Sequence, residues 1–413
     1  MKVLLFANIG GVPNGLYYHV GDEAMFLQTY HLYQKYFPKI ELSAFVSYPS
    51  HTDLKITEQS LPPFPSNRYL VNFIIKFLKL LSLKLLHLNF FSPEDIRFID
   101  CLKKQDVIHF CGGGNLSSLF QSWLYLSAFT IITAKLLGKK IILTNQTIGP
   151  FKFRDLPFII PILNLPEKIV IREPSSTLSR YGILIPKTSG APDITCFLKN
   201  NPVKIQPKKH IRIGISIHNW GKYNKILIDS IAHSLNTVSR SKKIEILYLP
   251  HIITNVSDEL DDSIFMAQLN RLFNPKIKII SLDLKNIIYP ESKLAAKIKY
   301  LTSTCDLTIS TRYHNLIFSL SENVPGITFT SESYYYQKNS NALKFYYPLS
   351  YGNYLVQLDR HPQKRDAFNT TLSKIITRIH SNQAEKKHLS KINKKLNLTA
   401  KTNLSNFLYS ESA

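Results

Sequence analysis

The feature that most limits what this chain can become is a repeated alternation of short β-branched runs with longer stretches of helical periodicity. Strands are expected at Lys2–Phe6, Glu41–Ser47, Val107–Cys111, Lys140–Asn145 and Lys168–Arg172, with helical patterns starting near Asp22, Leu70, Pro93 and Ser117. The alternation restarts at Ile211–Ile217 and runs through Ile244–Leu249, Ile277–Ile280, Leu307–Ser310 and Gly326–Thr330. Helical patterns near Lys225–Arg240, Ser257–Leu272 and Lys293–Thr302 separate these strands. Strands spaced by helices make parallel sheets covered on both faces. The interruption, Leu198–Arg212, contains Asn200-Asn201-Pro202 and Pro207-Lys208-Lys209, which is linker chemistry. The expectation is an α/β protein of two Rossmann-like domains facing a cleft. Residues 1–200 form the first, 201–210 a linker and 211–382 the second; 383–413 form a basic, helix-compatible, solvated tail. Ligands of such sheets bind beyond the carboxyl ends of the strands.

Composition narrows the partners. Hydrophobic residues make up 44% of the 413, enough for packed cores, so a disordered chain is excluded. Lys and Arg number 51 against 28 Asp and Glu, a formal charge of +23, which favours phosphorylated metabolites, lipid head groups or nucleic acid. No nucleic-acid motif accompanies the charge, so no nucleic-acid partner is expected. The four cysteines, at 101, 111, 196 and 305, form no C-x-x-C pair and read as reduced thiols of a cytoplasmic protein. The apolar opening Val3–Ala7 is too short for a secretory signal.

Two apolar stretches invite a membrane reading. Val107–Ala134 has no formal charge, but its glycines and hydroxyls fit a buried strand, loop and helix better than a span. In the helix expected over residues 70–91, Asn72, Lys76, Lys79 and His87 share one face. It is either a basic helix lying peripherally on an anionic membrane or a surface helix packed on its own domain.

The most informative segment is Asp306-Leu-Thr-Ile-Ser310-Thr311-Arg312-Tyr313-His314-Asn315. An apolar strand ends in two hydroxyls, an Arg and a His, and a helical pattern opens at once. Helix amides there favour an anion, Arg forks onto carboxylate or phosphate, and His moves protons near neutral pH. The plainer alternative is a salt bridge at Arg312 and a turn cap at His314. Cys111-Gly112-Gly113-Gly114-Asn115 follows another strand, and three of only 15 glycines there let a ligand approach the backbone. The segment is neither G-x-G-x-x-G nor a P-loop. Gln146-Thr147-Ile148-Gly149-Pro150 and Arg172 also end strands; Arg172 could instead pair with Glu173 or Asp193, and Ser175 could cap the following helix.

Gly21-Asp22-Glu23-Ala24, GGGNL at 112–116, QTIGP at 146–150, the Arg172 segment, Ala191-Pro192-Asp193, TRYH at 311–314 and Val324-Pro325-Gly326 occur in that order. Together they resemble the polysaccharide pyruvyl transferase family over roughly residues 1–345. The resemblance implies a glycosyltransferase-B-like fold and transfer of the enolpyruvyl unit of phosphoenolpyruvate to a sugar of a surface glycan or exopolysaccharide, as a ketal. It implies catalytic roles for Arg172, Arg312 and His314, and a donor-binding Lys338, for which Lys344 is a rival. Ser310, Thr311, Gly113, Gly114, Asn115, Gln146 and Asp22 would line the substrate sites. Phosphoenolpyruvate is then donor substrate; no cofactor or metal is required, and the saccharide acceptor is often lipid-linked. The chain departs from the family at Arg172-Glu173, where Arg-Asp is frequent, and at His218-Asn219-Trp220, where an Arg is frequent. The alternatives are a nucleotide-sugar glycosyltransferase of the same architecture and a non-catalytic glycan- or membrane-binding protein.

Overall fold

The computed structural model describes residues 1–7, 17–46, 54, 56–60, 69–172, 188–218, 223–254, 262–280, 282, 293–360 and 364–409. Glu173, Ser175, Asn219 and Trp220, weighed above, lie outside them. In chain order the elements are β1 (Lys2–Phe6), β2 (Tyr17–His19), α1 (Val20–Tyr36), β3 (Glu41–Val46), β4 (Thr57–Ser60), α2 (Tyr69–Leu86), α3 (Pro93–Lys103), β5 (Val107–Phe110), β6 (Gly113–Leu116), α4 (Gln121–Leu136), β7 (Lys140–Ile148), α5 (Leu156–Leu163), β8 (Lys168–Ile171) and β9 (Thr188–Gly190). There follow β10 (Ile211–Ser216), α6 (Asn224–Val238), β11 (Ile244–Tyr248), β12 (Ile252–Thr254), α7 (Asp262–Asn270), β13 (Lys278–Ile280), α8 (Leu294–Ser303), β14 (Leu307–Ser310), α9 (Tyr313–Ser321), β15 (Gly326–Thr330), α10 (Glu332–Tyr346), β16 (Leu355–Gln357) and α11 (Lys364–Tyr409).

The chain divides into two compact units. One comprises Met1–Pro13 and Met25–Ile194, the other Asn14–Ala24 and Thr195–Ala413. The boundary therefore falls at 194, and an early segment holding Asp22 belongs to the second unit. Three ties fasten it there. Strand β2 pairs antiparallel with β12. The Val20 N–H donates to the His251 carbonyl at 2.9 Å. The buried Glu23 carboxylate accepts from the Ala295 N–H at 3.1 Å, where the first turn of α8 leaves amides unpaired.

Each unit carries one parallel sheet, and the two share a topology. The first runs β4-β3-β1-β5-β7-β8-β9 with β6 against β7; the second runs β13-β11-β10-β14-β15-β16. Numbered along the sheet path within each unit, the second reads 3-2-1-4-5-6, the Rossmann order, and the first reads the same with β9 added as a seventh strand at the edge; the reversal falls between β1 and β5 in one and between β10 and β14 in the other. Strands covered on both faces need continuous apolar runs. Leu4, Phe6, Ile108, Phe110, Ile141 and Leu143 form one core; Ile213, Ile215, Ile246, Ile309, Ile327 and Phe329 form the other.

The structure departs from the sequence expectations in three places. After β5 the chain does not loop directly into a helix. Gly112 and Gly113 take φ of 113° and 130°, turning residues 113–116 into β6, and α4 opens only at Gln121. The expected 70–91 helix ends at Leu86, because His87 adopts φ of 56° and the Leu88 N–H turns back to the Ser82 carbonyl. Its lysine face does not point wholly outward: Lys76 is turned in, pairs with Asp95 and lies 5.6 Å from the Phe129 ring centroid. Finally, residues from 383 continue the long helix α11 rather than form a solvated tail. Leu389 is buried, His388 Nε2 bonds the Tyr346 carbonyl at 2.8 Å, and Asn393 Nδ2 donates to the Leu320 carbonyl at 2.8 Å. Among the described residues no helix is long and apolar enough to cross a membrane.

Candidate active site

In the second unit the sheet reverses between β10 and β14, and chemistry-bearing side chains collect where those strands end. The Thr311 N–H donates to the Ser216 carbonyl at 2.9 Å. Thr311 Oγ1 accepts from the His218 N–H at 2.9 Å and lies 2.7 Å from His218 Nδ1. Thr311 thus ties the two strand ends together. Ser310 is buried, its hydroxyl 3.4 Å from the Arg312 carbonyl, which places it as a turn former.

Arg312 stands at the N-cap of α9, whose first amides receive no side-chain cap. Its Nε lies 3.1 and 3.2 Å from the two Asp262 oxygens, and Nη2 closes the same ion pair. The Asp262 side chain has no solvent exposure and also accepts from the His251 and Ile252 N–H groups at 2.9 and 3.0 Å. One fork edge of Arg312 is therefore fixed by a carboxylate that is itself fixed by backbone. Its Nη1 makes no hydrogen bond among the described residues, and 14% of the side chain remains accessible.

The imidazoles around this guanidinium are held neutral. Burial pulls the His19 pKa below its ordinary value; Asp22 opposes this, and Arg312 and Lys338 reinforce it. Burial pushes His218 well down, again aided by Arg312, His19 and Lys338. His251 is brought to about 3 by burial, with Arg312 and His19 adding to the effect. Its Nδ1 lies 3.2 Å from the Leu249 carbonyl and 3.0 Å from Ser216 Oγ, so that nitrogen carries the proton. His19 Nδ1 instead accepts from the Asp22 N–H at 3.2 Å and lies 3.5 Å from the Asp22 carboxylate.

His314 is buried in the first turn of α9, its ring edge-on to Tyr313 at 5.1 Å. Gly21 is packed against it so closely that a Cβ there would fall inside the imidazole. This explains why the Gly21-Asp22 segment needs glycine at its first position. Lys338, on α10, lies 4.5 Å from the Tyr313 ring centroid and 5.8 Å from that of Tyr334. Its rival Lys344 is exposed, 5.1 Å from Tyr351 and 3.4 Å from Asn341 Oδ1. Of the two, only Lys338 influences His19 and His218. The second unit thus gathers Asp22, Thr311, Arg312, His314 and Lys338, together with His19, His218, His251 and Asp262, to which the sequence reading gave no role. Three of these four had a readable sign: His19 adjoins the Gly21-Asp22 motif, and His218 and His251 follow strand ends.

The remaining sites belong to the first unit. Gly113, Gly114 and Asn115 lie in β6, beyond the point where its sheet reverses. Gln146 is buried, its amide donating to the Phe110 and Thr144 carbonyls at 3.3 and 3.0 Å. Arg172 is enclosed: Nε donates to Thr147 Oγ1 at 2.8 Å, and Nη1 lies 3.3 Å from Asp193 and 3.4 Å from Met25 Sδ. Neither member of the Arg172–Asp193 pair has solvent-exposed side-chain surface. Among the described residues no three His, Cys, Asp or Glu side chains are grouped to hold a metal.

Comparison with known proteins supplies the wider setting. Residues 19–333 match the family model for polysaccharide pyruvyl transferase. A search of curated proteins gives no match. Among solved structures the chain is similar to spinosyn rhamnosyltransferase SpnG (TM-score 0.54, 12% identity, 98% of this chain and 100% of that one). It is similar to Arabidopsis thaliana UGT89C1 complexed with UDP-L-rhamnose (0.54, 12%, 98% and 97%). It is also similar to MurG of Acinetobacter baumannii (0.51, 12%, 95% and 94%). At such identities the likeness speaks for the fold, which is of the glycosyltransferase-B class with two Rossmann-like domains. The family match covers well over half the sequence and spans the Arg312–His314 turn, so the chain is a transferase belonging to the polysaccharide pyruvyl transferase family.

Proposed function

We propose that this protein transfers the enolpyruvyl unit of phosphoenolpyruvate to a sugar of a surface glycan or exopolysaccharide, closing a pyruvate ketal and releasing phosphate. The observation that carries the reading is the pairing of two cations, Arg312 and Lys338, with neutral imidazoles at the carboxyl ends of β10 and β14. Phosphoenolpyruvate is a compact anion. Arg312, with one edge anchored on Asp262, presents the other to its phosphate or carboxylate, and the uncapped amides of α9 add partial positive charge.

Four chemical events follow. A proton reaches the methylene carbon as a sugar hydroxyl adds to the central carbon. The carbon–oxygen bond to phosphate then breaks, and its electron pair leaves with phosphate. A second hydroxyl adds; of the two hydroxyl protons lost, one replaces the proton given to the methylene carbon and the other leaves on phosphate. His314 delivers the first proton and recovers one from a hydroxyl, a role that contributes about 10²–10⁴-fold. Lys338 and Arg312 stabilise the departing phosphate. Asp22, through His19, sets the orientation of a neutral donor beside them. Arg172, closed in by Thr147, Met25 and Asp193, serves as a structural tie of the first unit, and Gly113, Gly114, Asn115 and Gln146 are proposed as that unit's acceptor residues. The acceptor is a lipid-linked saccharide met at the cytoplasmic face of a membrane, which fits the chain's excess of positive charge.

The test is incubation with phosphoenolpyruvate and lipid-linked saccharides, measuring inorganic phosphate and the mass of the ketal product. Phosphate released only when acceptor is present, and abolished by His314→Ala, is the expected result. Thermal stabilisation by nucleotide-sugars and none by phosphoenolpyruvate would overturn it in favour of a glycosyltransferase.

A further inference from the structure

Residues 71–158 of the first unit expose eleven large apolar side chains, whereas the described part of the second unit exposes four, well separated in sequence. The concentration begins on α2. With 3.6 residues per turn, Val71, Ile75, Leu78, Ser82, Leu85 and Leu86 fall within an arc of about 100°. The five apolar members are all exposed, Leu78 at 58% and Leu85 at 70%. Phe73 and Leu80 lie on the opposite side and fill the core, so the helix has already spent one apolar face on its own unit. Leu88 and Phe90 prolong the exposed stripe past the helix end. At the other end Phe73 lies 5.5 Å from Tyr125 and 6.5 Å from Phe158, which brings the amino-terminal turns of α2, α4 and α5 together. Leu119, Phe120 and Phe153 are exposed there, Phe153 at 89% between Lys152 and Arg154.

Apolar surface on this scale marks an interaction site, and charge selects the occupant. Residues 59–93 contain no Asp or Glu. Lys79 borders the stripe, and Lys152 and Arg154 flank Phe153, whereas Lys84 lies on the inner side of the helix with its Nζ 3.4 Å from the Leu136 carbonyl. Two copies of this face would bring like charges together, whereas an anionic bilayer accepts both the apolar side chains and the cations. We propose that the first unit docks on an anionic lipid surface through the outer face of α2, with Leu78 and Leu85 entering the acyl boundary and Lys79, Lys152 and Arg154 at phosphate level. This builds on the reading that the acceptor is lipid-linked and names the surface that meets the membrane. It also reassigns Lys76, which is occupied by Asp95, from membrane contact to packing.

The experiment is co-sedimentation of the full chain with vesicles of phosphatidylcholine, alone or mixed equally with phosphatidylglycerol. The wild type is expected to sediment with the mixed vesicles and far less with phosphatidylcholine alone. Leu78→Ser/Leu85→Ser and Lys79→Glu/Lys152→Glu should each weaken binding about tenfold or more. In Leu78→Trp, acyl-brominated lipid should quench the added indole. Wild-type protein left in the supernatant, serine variants that bind normally, or an added indole that stays unquenched would overturn the proposal. So would a vesicle-free dimer that the serine pair dissolves. The same preparations are assayed for phosphate release with phosphoenolpyruvate and detergent-solubilised lipid-linked saccharide. Release without vesicle binding defeats the docking surface alone; vesicle binding without release defeats the transferase reading alone.

Discussion

Arg172 and Arg312 follow parallel strands at the carboxyl ends of two sheets that share the Rossmann order over six strands, and each pairs with a buried aspartate. The resemblance ends there. Arg172 is closed in by Thr147, Met25 and Asp193. Arg312 commits one edge to Asp262 and stays partly accessible beside an uncapped helix end. A guanidinium at a strand end is thus suited to a structural tie or to a ligand clamp according to whether a ligand can still reach it.

The contrast is breakable by experiment. The largest effect is expected at the second unit's turn. His314→Ala should lower phosphate release by about 10²–10⁴-fold and Arg312→Lys by about 10²-fold or more, both with the melting temperature nearly unchanged. If either instead unfolds the protein while keeping its specific activity, the two arginines are alike. Arg172→Met should behave oppositely. Leaving Asp193 buried without its cation costs about 3–5 kcal/mol, read as a fall in the urea midpoint; unchanged stability with lost turnover would make Arg172 a clamp as well. Asp262→Asn keeps the shape but removes the charge that orients Arg312, and should raise the KM for phosphoenolpyruvate more than it lowers kcat. Equal effects on a reaction that does not use Arg312 would mark it as merely structural.

The smallest effect concerns acid. His19, His218 and His251 have folded pKa values below the unfolded value near 6.5. Above pH 6.5 they are neutral in both states. Below it the unfolded chain binds protons that the folded chain refuses, so stability falls as pH drops, by about 1.4 kcal/mol per pH unit for each such group. For His251 the loss continues to about pH 3. His251→Gln should flatten the slope in urea titrations between pH 6.5 and 5; an unaltered slope would remove His251 from the account.

Much of this was legible in the sequence, and what was not has identifiable causes. Runs such as Val3–Phe6 and Leu307–Ile309 announced parallel strands because both faces of the sheet are covered. Three-residue strands such as β2 and β12 have too few positions to show a period, so the segment carrying His19 and Asp22 could not be assigned to the second unit. Asp262 was invisible for a related reason. It lies 50 positions before Arg312, and only the fold makes them partners. In α2 the expected lysine face is broken because Lys76 turns in to Asp95, and periodicity cannot say which of two apolar arcs turns inward.

The antiparallel ladder between Tyr17–His19 and Ile252–Thr254 also bears on how the protein is made. The first partner leaves the ribosome about 230 residues before the second, and so long a loop closes slowly. Until then Gly21 has no His314 to rest against, and the nascent chain holds an unfinished candidate site until synthesis is well past its midpoint.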